Sequence, residues 1–351
     1  MSARTMKPSM AIALLGLVAL LATPARSAEI VLRFGSINTE NTAPYDQVLL
    51  PFAKAVEEES GGRIEVALKP LGGYGKPAEL FTMVEKGTLE MAASVQGYHP
   101  GRFPQSSVME LPLMFENSIA GTEAVMKLYK EGLLDKDYAS VKVLGLYVLP
   151  PYPIFTTGKK IQSIRDFRGL RMRSPSITVG VALAKLGAVP LGIPLNMIGD
   201  TIASGYVDAI AYGWDSTTTT KGAGGKVLAD QLNVAIDARL ASPALMIVMN
   251  RAAWDKMPDD LKKILEKHSS DLAMGSARIR EAQEAVSKKK LQSDPRYTAL
   301  TFTDEQRAEL QRVTAPAIAE WKANMAKLGI DGERLYARAK ELIQQYKLAA
   351  K

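Results

Sequence analysis

The chain has 351 residues, 47% of them apolar and 23% charged, with a formal net charge of +7. That length suggests two domains, and the balance describes an ordinary soluble globular protein with ample core. It contains no cysteine, which excludes a disulfide scaffold, thiol catalysis, cysteine-bound zinc and iron–sulfur clusters. Basic residues are interleaved with acids, as in Asp259-Asp260-Leu261-Lys262-Lys263, and the one tight cluster, Lys288-Lys289-Lys290, reads as helix surface. No nucleic-acid partner is expected from that pattern.

Residues 1–28 read as a secretory signal peptide. Arg4 and Lys7 precede the apolar run Ala11–Leu21, and small residues around Ala25-Arg26-Ser27 offer a cleavage site. The run is too short to span a bilayer as a helix. Removing Arg4, Lys7 and Arg26 with the signal lowers the formal charge to +4. Export to the periplasm is the expectation.

The first expected strand is Ile30–Ser36, which alternates. A helix over Tyr45–Ser60 stops at Gly61-Gly62. Strand Arg63–Pro70, a short helix over Ala78–Lys86 and strand Leu89–Val95 follow. Next come an apolar segment (Met109–Phe115), a helix (Gly121–Gly132) and a long strand (Val141–Leu149). The corner Pro150-Pro151-Tyr152-Pro153 is the expected domain boundary. Residues 29–150 with about 243–278 would form lobe I, and 151–242 with about 279–351 lobe II. Beyond the corner, Gly169–Ser174, a helix, the "LGAVPLGIP" strand and turn, a helix near Asn196–Ser204 and Val207–Tyr212 make two β-α units in a row. That is the pattern of an α/β domain with a largely parallel sheet. Ala244–Asn250 is a strongly apolar strand. A helix is expected from Pro258 to about Gln292, with Leu261, Ile264, Leu265, His268, Leu272, Ile279, Ala282 and Val286 on its apolar face. At roughly 50 Å it would exceed one small domain and span both. Two amphipathic helices, Asp304–Leu328 and Asp331–Lys347, close the chain.

Ligands of such sheets bind at the carboxyl ends of the strands. Arg171 and Arg173 share one face of their strand, and only position, nearer the carboxyl end, favours Arg173 as a carboxylate clamp. Its guanidinium can give a carboxylate two parallel hydrogen bonds and stays charged at any relevant pH; the alternative is a surface arginine on an edge strand. Tyr98, Tyr152, Tyr212 and Trp214 all follow apolar strands and would sandwich an apolar ligand body, or else pack the lobe cores. Gln96 and Asn38 also follow strands and would hydrogen-bond the ligand, with loop capping the alternative. Asp215 beside Trp214 reads either as a cation site or, more readily, as a helix N-cap. The expected ligand is a carboxylate with an apolar or aromatic part. No catalytic residue, metal ligand or cofactor site is expected: HExxH and G-x-S-x-G are absent, and Gly222-Ala223-Gly224-Gly225-Lys226-Val227 fails as a phosphate loop at Thr220 and Val227.

In order along the chain, "VLRFGS", "PFAKAVEEESGGRIEVALKP", "ELFTMVEKGTLEMAAS", "ELPLMF", "FRGLRMRSP", "IASGYVDAI" and "NRAAWDKMPDDLKKIL" together resemble the solute-binding proteins of tripartite ATP-independent periplasmic (TRAP) transporters, the DctP-like family. The resemblance implies a two-lobed periplasmic binding-protein fold of the α/β class, with hinge strands and a long helix across both lobes. It implies a small organic acid in the interlobe cleft and delivery to membrane permease subunits, with no chemistry. It also implies that Arg173, which matches the arginine of the family's "GLKxRxP" strand, pairs with the ligand carboxylate. The family's "V-D-G-x-E-N-P" is replaced by Val207–Trp214, so Tyr212 stands where many members have a ligand-contacting Asn. The alternatives are a sensor-kinase ligand module and a secreted hydrolase or lyase of carboxylates.

Overall fold

The computed structural model describes residues 28–349; the expected signal peptide, apart from its last residue, lies outside them. Eleven strands are described: β1 (Ile30–Ser36), β2 (Ile64–Lys69), β3 (Met91–Val95), β4 (Val141–Val148), β5 (Ile154–Thr156), β6 (Arg171–Ser174), β7 (Val189–Gly192), β8 (Ala209–Ala211), β9 (Val234–Asp237), β10 (Ala244–Asn250) and β11 (Thr298–Thr301). They form two sheets, ordered β2-β1-β3-β10-β4 and β11-β9-β5-β8-β6-β7. Helices flank each, giving two α/β lobes. β10 is buried along its whole length because it lies between β3 and β4 with both faces covered. A central strand reads as a continuous apolar run for that reason.

Each sheet holds one strand that runs against its neighbours, and the chain enters it by a crossing from the other lobe. β10 runs antiparallel to β3 and β4, and β5 runs antiparallel to β8 and β9. The chain therefore crosses between lobes after β4 and again before β10. The two crossings are bonded to each other: Tyr152 N donates to Ala241 O at 2.9 Å, and Ser242 Oγ donates to Leu149 O at 2.6 Å. These paired crossings follow the proline corner expected as a boundary.

The third link is helical. In place of one continuous helix there are two, Asp259–Ser269 and Leu272–Gln292. At the junction the Ser269 and Ser270 hydroxyls donate to the carbonyls of Glu266 and Lys267, competing with the helical ladder. The second helix packs against β4 and Ser118–Lys130 of the first lobe and against Trp214–Thr219 and β11 of the second, so spanning is achieved by this piece alone. The break also resets the buried face. Ala273, Ser276, Ala277, Arg280, Ser287 and Leu291 turn inward, whereas Ala282 and Val286, expected on the apolar stripe, are exposed. His268 is not a core residue; its ring nitrogen sits 2.7 Å from Glu59 in a partly exposed pair.

The C-terminal helices straddle the lobes. Asp304–Lys327 lies on Ile177–Lys185 of the second, and the last helix, Gly332–Ala349, returns to Ser118–Lys130 of the first, where Arg338 pairs with Glu131. The last helix thus does not stay with the second lobe as expected.

Glu110 ties this frame together. It is 3% exposed, accepts from the N–H of Ala244 at the start of β10 at 2.9 Å and lines one cavity with Ser176 of the second lobe. Burial pushes its pKa up to about 7 from an ordinary 4.5. The folded protein therefore keeps a proton that the unfolded chain releases between those values, so this group's contribution to stability falls as pH rises from about 4.5 to about 7. The full penalty, on the order of 3 kcal/mol at most, is present above that. Glu110→Gln, which retains an acceptor for Ala244, should melt with wild type at pH 5 and above it at pH 8. Calorimetry at both values checks this; equal melting temperatures at pH 8 would contradict it.

Candidate functional site

Arg173 is the third residue of β6, which is paired in parallel with β7 and β8. Its side chain is 1% exposed. Nε donates to Ile193 O and Nη1 to Ala211 O, both at 3.0 Å, so the carbonyls leaving β7 and β8 fix the plane of the guanidinium. Nη2 reaches the Tyr98 hydroxyl from the first lobe at a longer 3.4 Å. The guanidinium lies over the Tyr212 ring, 5.4 Å from its centroid. Among the described residues, Arg173 takes part in no ion pair within 4 Å. Arg171, two residues earlier, is bonded instead to Asp208 at 3.0 Å and is exposed, and it is the main cause holding Asp208 well below the usual carboxylate range. Strand parity alone does not separate the two arginines; their partners do.

Tyr98, Tyr152 and Tyr212 come together on one wall. The rings of Tyr152 and Tyr212 meet edge to face at 5.9 Å, and the Tyr98 hydroxyl also accepts from Leu195 N at 3.2 Å. Burial raises the pKa of all three, that of Tyr212 to about 12. Each hydroxyl keeps its proton at neutral pH. They line a cavity of about 700 Å³ between the lobes, walled on the first-lobe side by the loop 37–44, Val95 and Leu245 and on the other by Asn196 and residues 215–221. A smaller, mostly apolar cavity of about 410 Å³ lies on the other side of Tyr98, lined by Gly97, Pro175, Ile177 and Ile193. The larger one has Asn38, Asp215 and Arg280 on its wall and is the candidate site.

Asn38 lines this cavity. Its Nδ2 donates to Ser36 Oγ at 3.1 Å and its Oδ1 accepts from Arg280 Nη2 at 2.5 Å. Arg280, on the spanning helix, is not among the residues the sequence singles out. The signal available was a charge in phase with Ala273 and Ala277 on a stripe of small residues. Three expected residues are not among those lining the cavity: Arg173, which stands behind the lining residues Tyr98 and Tyr212, and two that turn away from it. Gln96 turns into the first lobe, where Nε2 donates to the Tyr138 hydroxyl at 2.7 Å and to Leu245 O. Trp214 is 3% exposed and packs on Phe155 with centroids 5.1 Å apart. Asp215 does line the cavity, but it is not the N-cap: Gly213 holds that position. Glu284 accepts from the N–H groups of Trp214 and Asp215 at 2.9 Å each. Burial lifts Glu284 to about 7. The cation beside Asp215 is Arg280, at 3.9 Å. Among the described residues no cluster of three His, Asp or Glu side chains is placed to hold a metal, and no helix is long and apolar enough to cross a membrane.

The family model for bacterial extracellular solute-binding protein, family 7 (DctP), matches residues 34–324. The chain belongs to that family. The C4-dicarboxylate-binding periplasmic protein DctP of Rhodobacter capsulatus is 26% identical over 317 residues, covering 87% of this chain and 91% of that protein. Among solved structures, a TRAP solute-binding protein from Rhodoferax ferrireducens with copurified benzoate superposes with a TM-score of 0.83 at 26% identity, over 92% of this chain and 99% of that one. A marine-metagenome TRAP protein specific for aromatic acid ligands, with 3-hydroxybenzoate, gives 0.83 at 25%, over 91% and 99%. A Shewanella oneidensis member with bound succinate, at 17% identity, shares the fold, with a TM-score of 0.77. The two lobes, the paired crossings and the spanning helix are thus the architecture of DctP-family receptors, which are solute-binding proteins and not an enzyme family.

Proposed function

We propose that this chain is the periplasmic receptor of a TRAP transporter, capturing a carboxylate with an apolar or aromatic body in the 700 Å³ cavity and passing it to membrane permease subunits without chemical change. The observation that carries the reading is Arg173: a fully buried cation, held in plane by two backbone carbonyls and paired with no acid among the described residues. A buried charge without a partner is costly by several kcal/mol, and a bound carboxylate supplies that partner. The long contact to Tyr98 is the one such a ligand would replace. Three neutral tyrosines around it suit a ring or alkyl body and would repel no anion. The DctP relative from Rhodobacter binds C4-dicarboxylates and the two structural relatives above bind benzoate and 3-hydroxybenzoate; the tyrosine wall here favours the aromatic class.

A thermal-shift screen against mono-, di-, keto- and aromatic acids tests this. A ligand at 100 times its Kd should stabilise the native state by about 2.7 kcal/mol. Aromatic monocarboxylates should give the largest shifts, and a native mass spectrum should show one unmodified ligand per chain. A response to short dicarboxylates alone would refute the aromatic assignment, and turnover of the ligand would refute the receptor role.

A further inference from the structure

The cavity has a polar corner that shares no hydrogen-bond partner with Arg173. Arg280 is 9% exposed and is pinned from behind, where Nη2 donates to Asn38 Oδ1 at 2.5 Å. Its Nε is buried without a partner. Its Nη1 faces Asp215 Oδ2 at 3.9 Å, beyond hydrogen-bond range. That gap has a chemical meaning. A donor and an acceptor held 3.9 Å apart can both be satisfied at once by one oxygen that accepts from the first and donates to the second. A hydroxyl group has that dual character; a carboxylate only accepts, and would meet the negative charge of Asp215 as well as the positive charge of Arg280. Asp215 and Arg280 line the cavity together with Tyr152 and Tyr212, and Arg173 lies over the Tyr212 ring, so the tyrosine pair links the two arginines.

We propose that Arg280 and Asp215 form a hydroxyl-recognition subsite that makes this receptor prefer carboxylates bearing a hydroxyl over the matching plain acids and over diacids. The inference rests on the reading of Arg173 as the carboxylate anchor. Asp215 acts here as the element that excludes a second carboxylate, since specificity comes as much from repulsion of the wrong ligand as from attraction of the right one. A bridging water could occupy the gap in the absence of such a ligand; the hydroxyl replaces it with a covalently delivered oxygen.

Titration calorimetry on the full mature chain decides the matter, with benzoate, 3-hydroxybenzoate and isophthalate as one set and phenylacetate with 3-hydroxyphenylacetate as another. In wild type, at least one hydroxylated member should bind about tenfold or more tighter than its plain partner, as expected for hydrogen bonds to charged groups, and isophthalate should bind more weakly than both benzoates. In Asp215→Asn and in Arg280→Gln that ratio should fall below about threefold, and Asp215→Asn should gain relative affinity for isophthalate. Circular dichroism identifies a misfolded variant, and either folded variant alone is enough to test the subsite. Equal binding of plain and hydroxylated acids by wild type, or a ratio that survives both substitutions, would overturn the subsite while leaving the carboxylate reading in place. Failure of wild type to bind any of these acids would overturn both.

Discussion

Arg173→Ala should abolish ligand binding while the protein still folds. The guanidinium is 1% exposed, and truncating one partner of a desolvated charge pair costs on the order of 2–5 kcal/mol, which is roughly thirtyfold to several thousandfold in Kd. Folding is spared for a specific reason. The substitution frees two acceptors, the carbonyls of Ile193 and Ala211, but it also removes a buried cation that no acid among the described residues neutralises. The two effects oppose each other, so the melting temperature without ligand should move by only a few degrees. Calorimetric titration with an acid that binds wild type reads the affinity. A variant that retains near-normal affinity would take Arg173 out of the site and leave the receptor assignment resting on family likeness alone. Arg173→Lys should not rescue. An ammonium is a point donor on a flexible stem and cannot hold two strand carbonyls and a bidentate carboxylate together.

The same residue shows how far sequence reasoning reaches. Alternation puts Arg171 and Arg173 on one face and stops there. What separates them is a partner distant in sequence: Asp208, which follows Val207 into β8, takes Arg171, while Arg173 lies two residues closer to the interlobe space. Strands with strong signals were legible to the residue, as with β1 and β10. β5, β9 and β11 were not: three or four residues are too few to establish a period, the equally short β6, β7 and β8 were legible only through the helices and turns between them, and β5 was hidden by the prolines just before it. The spanning helix was legible as apolar spacing, but the serine hydroxyls at 269 and 270 change its phase. That is why Arg280 went unseen while Val286 was expected inside. Trp214 and Gln96 were plausible by position after a strand. Their side chains point the other way because Phe155 and Tyr138 offer them buried partners.

Gly97→Ala should act as a wedge between the lobes. A Cβ at Gly97 would stand 2.4 Å from Ser176 Cβ, 2.5 Å from Pro175 O and 2.9 Å from Ser176 Cα. Two of these are backbone atoms, which cannot rotate away. Gly97 lies in the turn that follows β3 of the first lobe, and Pro175-Ser176 follows β6 of the second. The clash therefore exists only when the lobes are in contact, and a hinge at the two crossings can relieve it by opening. No left-handed backbone angle is needed at this glycine, so the substitution should leave each lobe intact. Overpacking of this kind costs typically ~1–3 kcal/mol, here borne by the closed arrangement alone. Ligand that requires contact from both lobes should bind roughly five- to 150-fold more weakly. Small-angle scattering separates this from a local packing fault. The wild-type radius of gyration should shrink on adding a saturating acid, while that of the variant should stay at its ligand-free value until far higher concentrations. Unchanged affinity together with normal compaction would mean that Gly97 and Ser176 can slide past each other, and that closure does not pass through this contact.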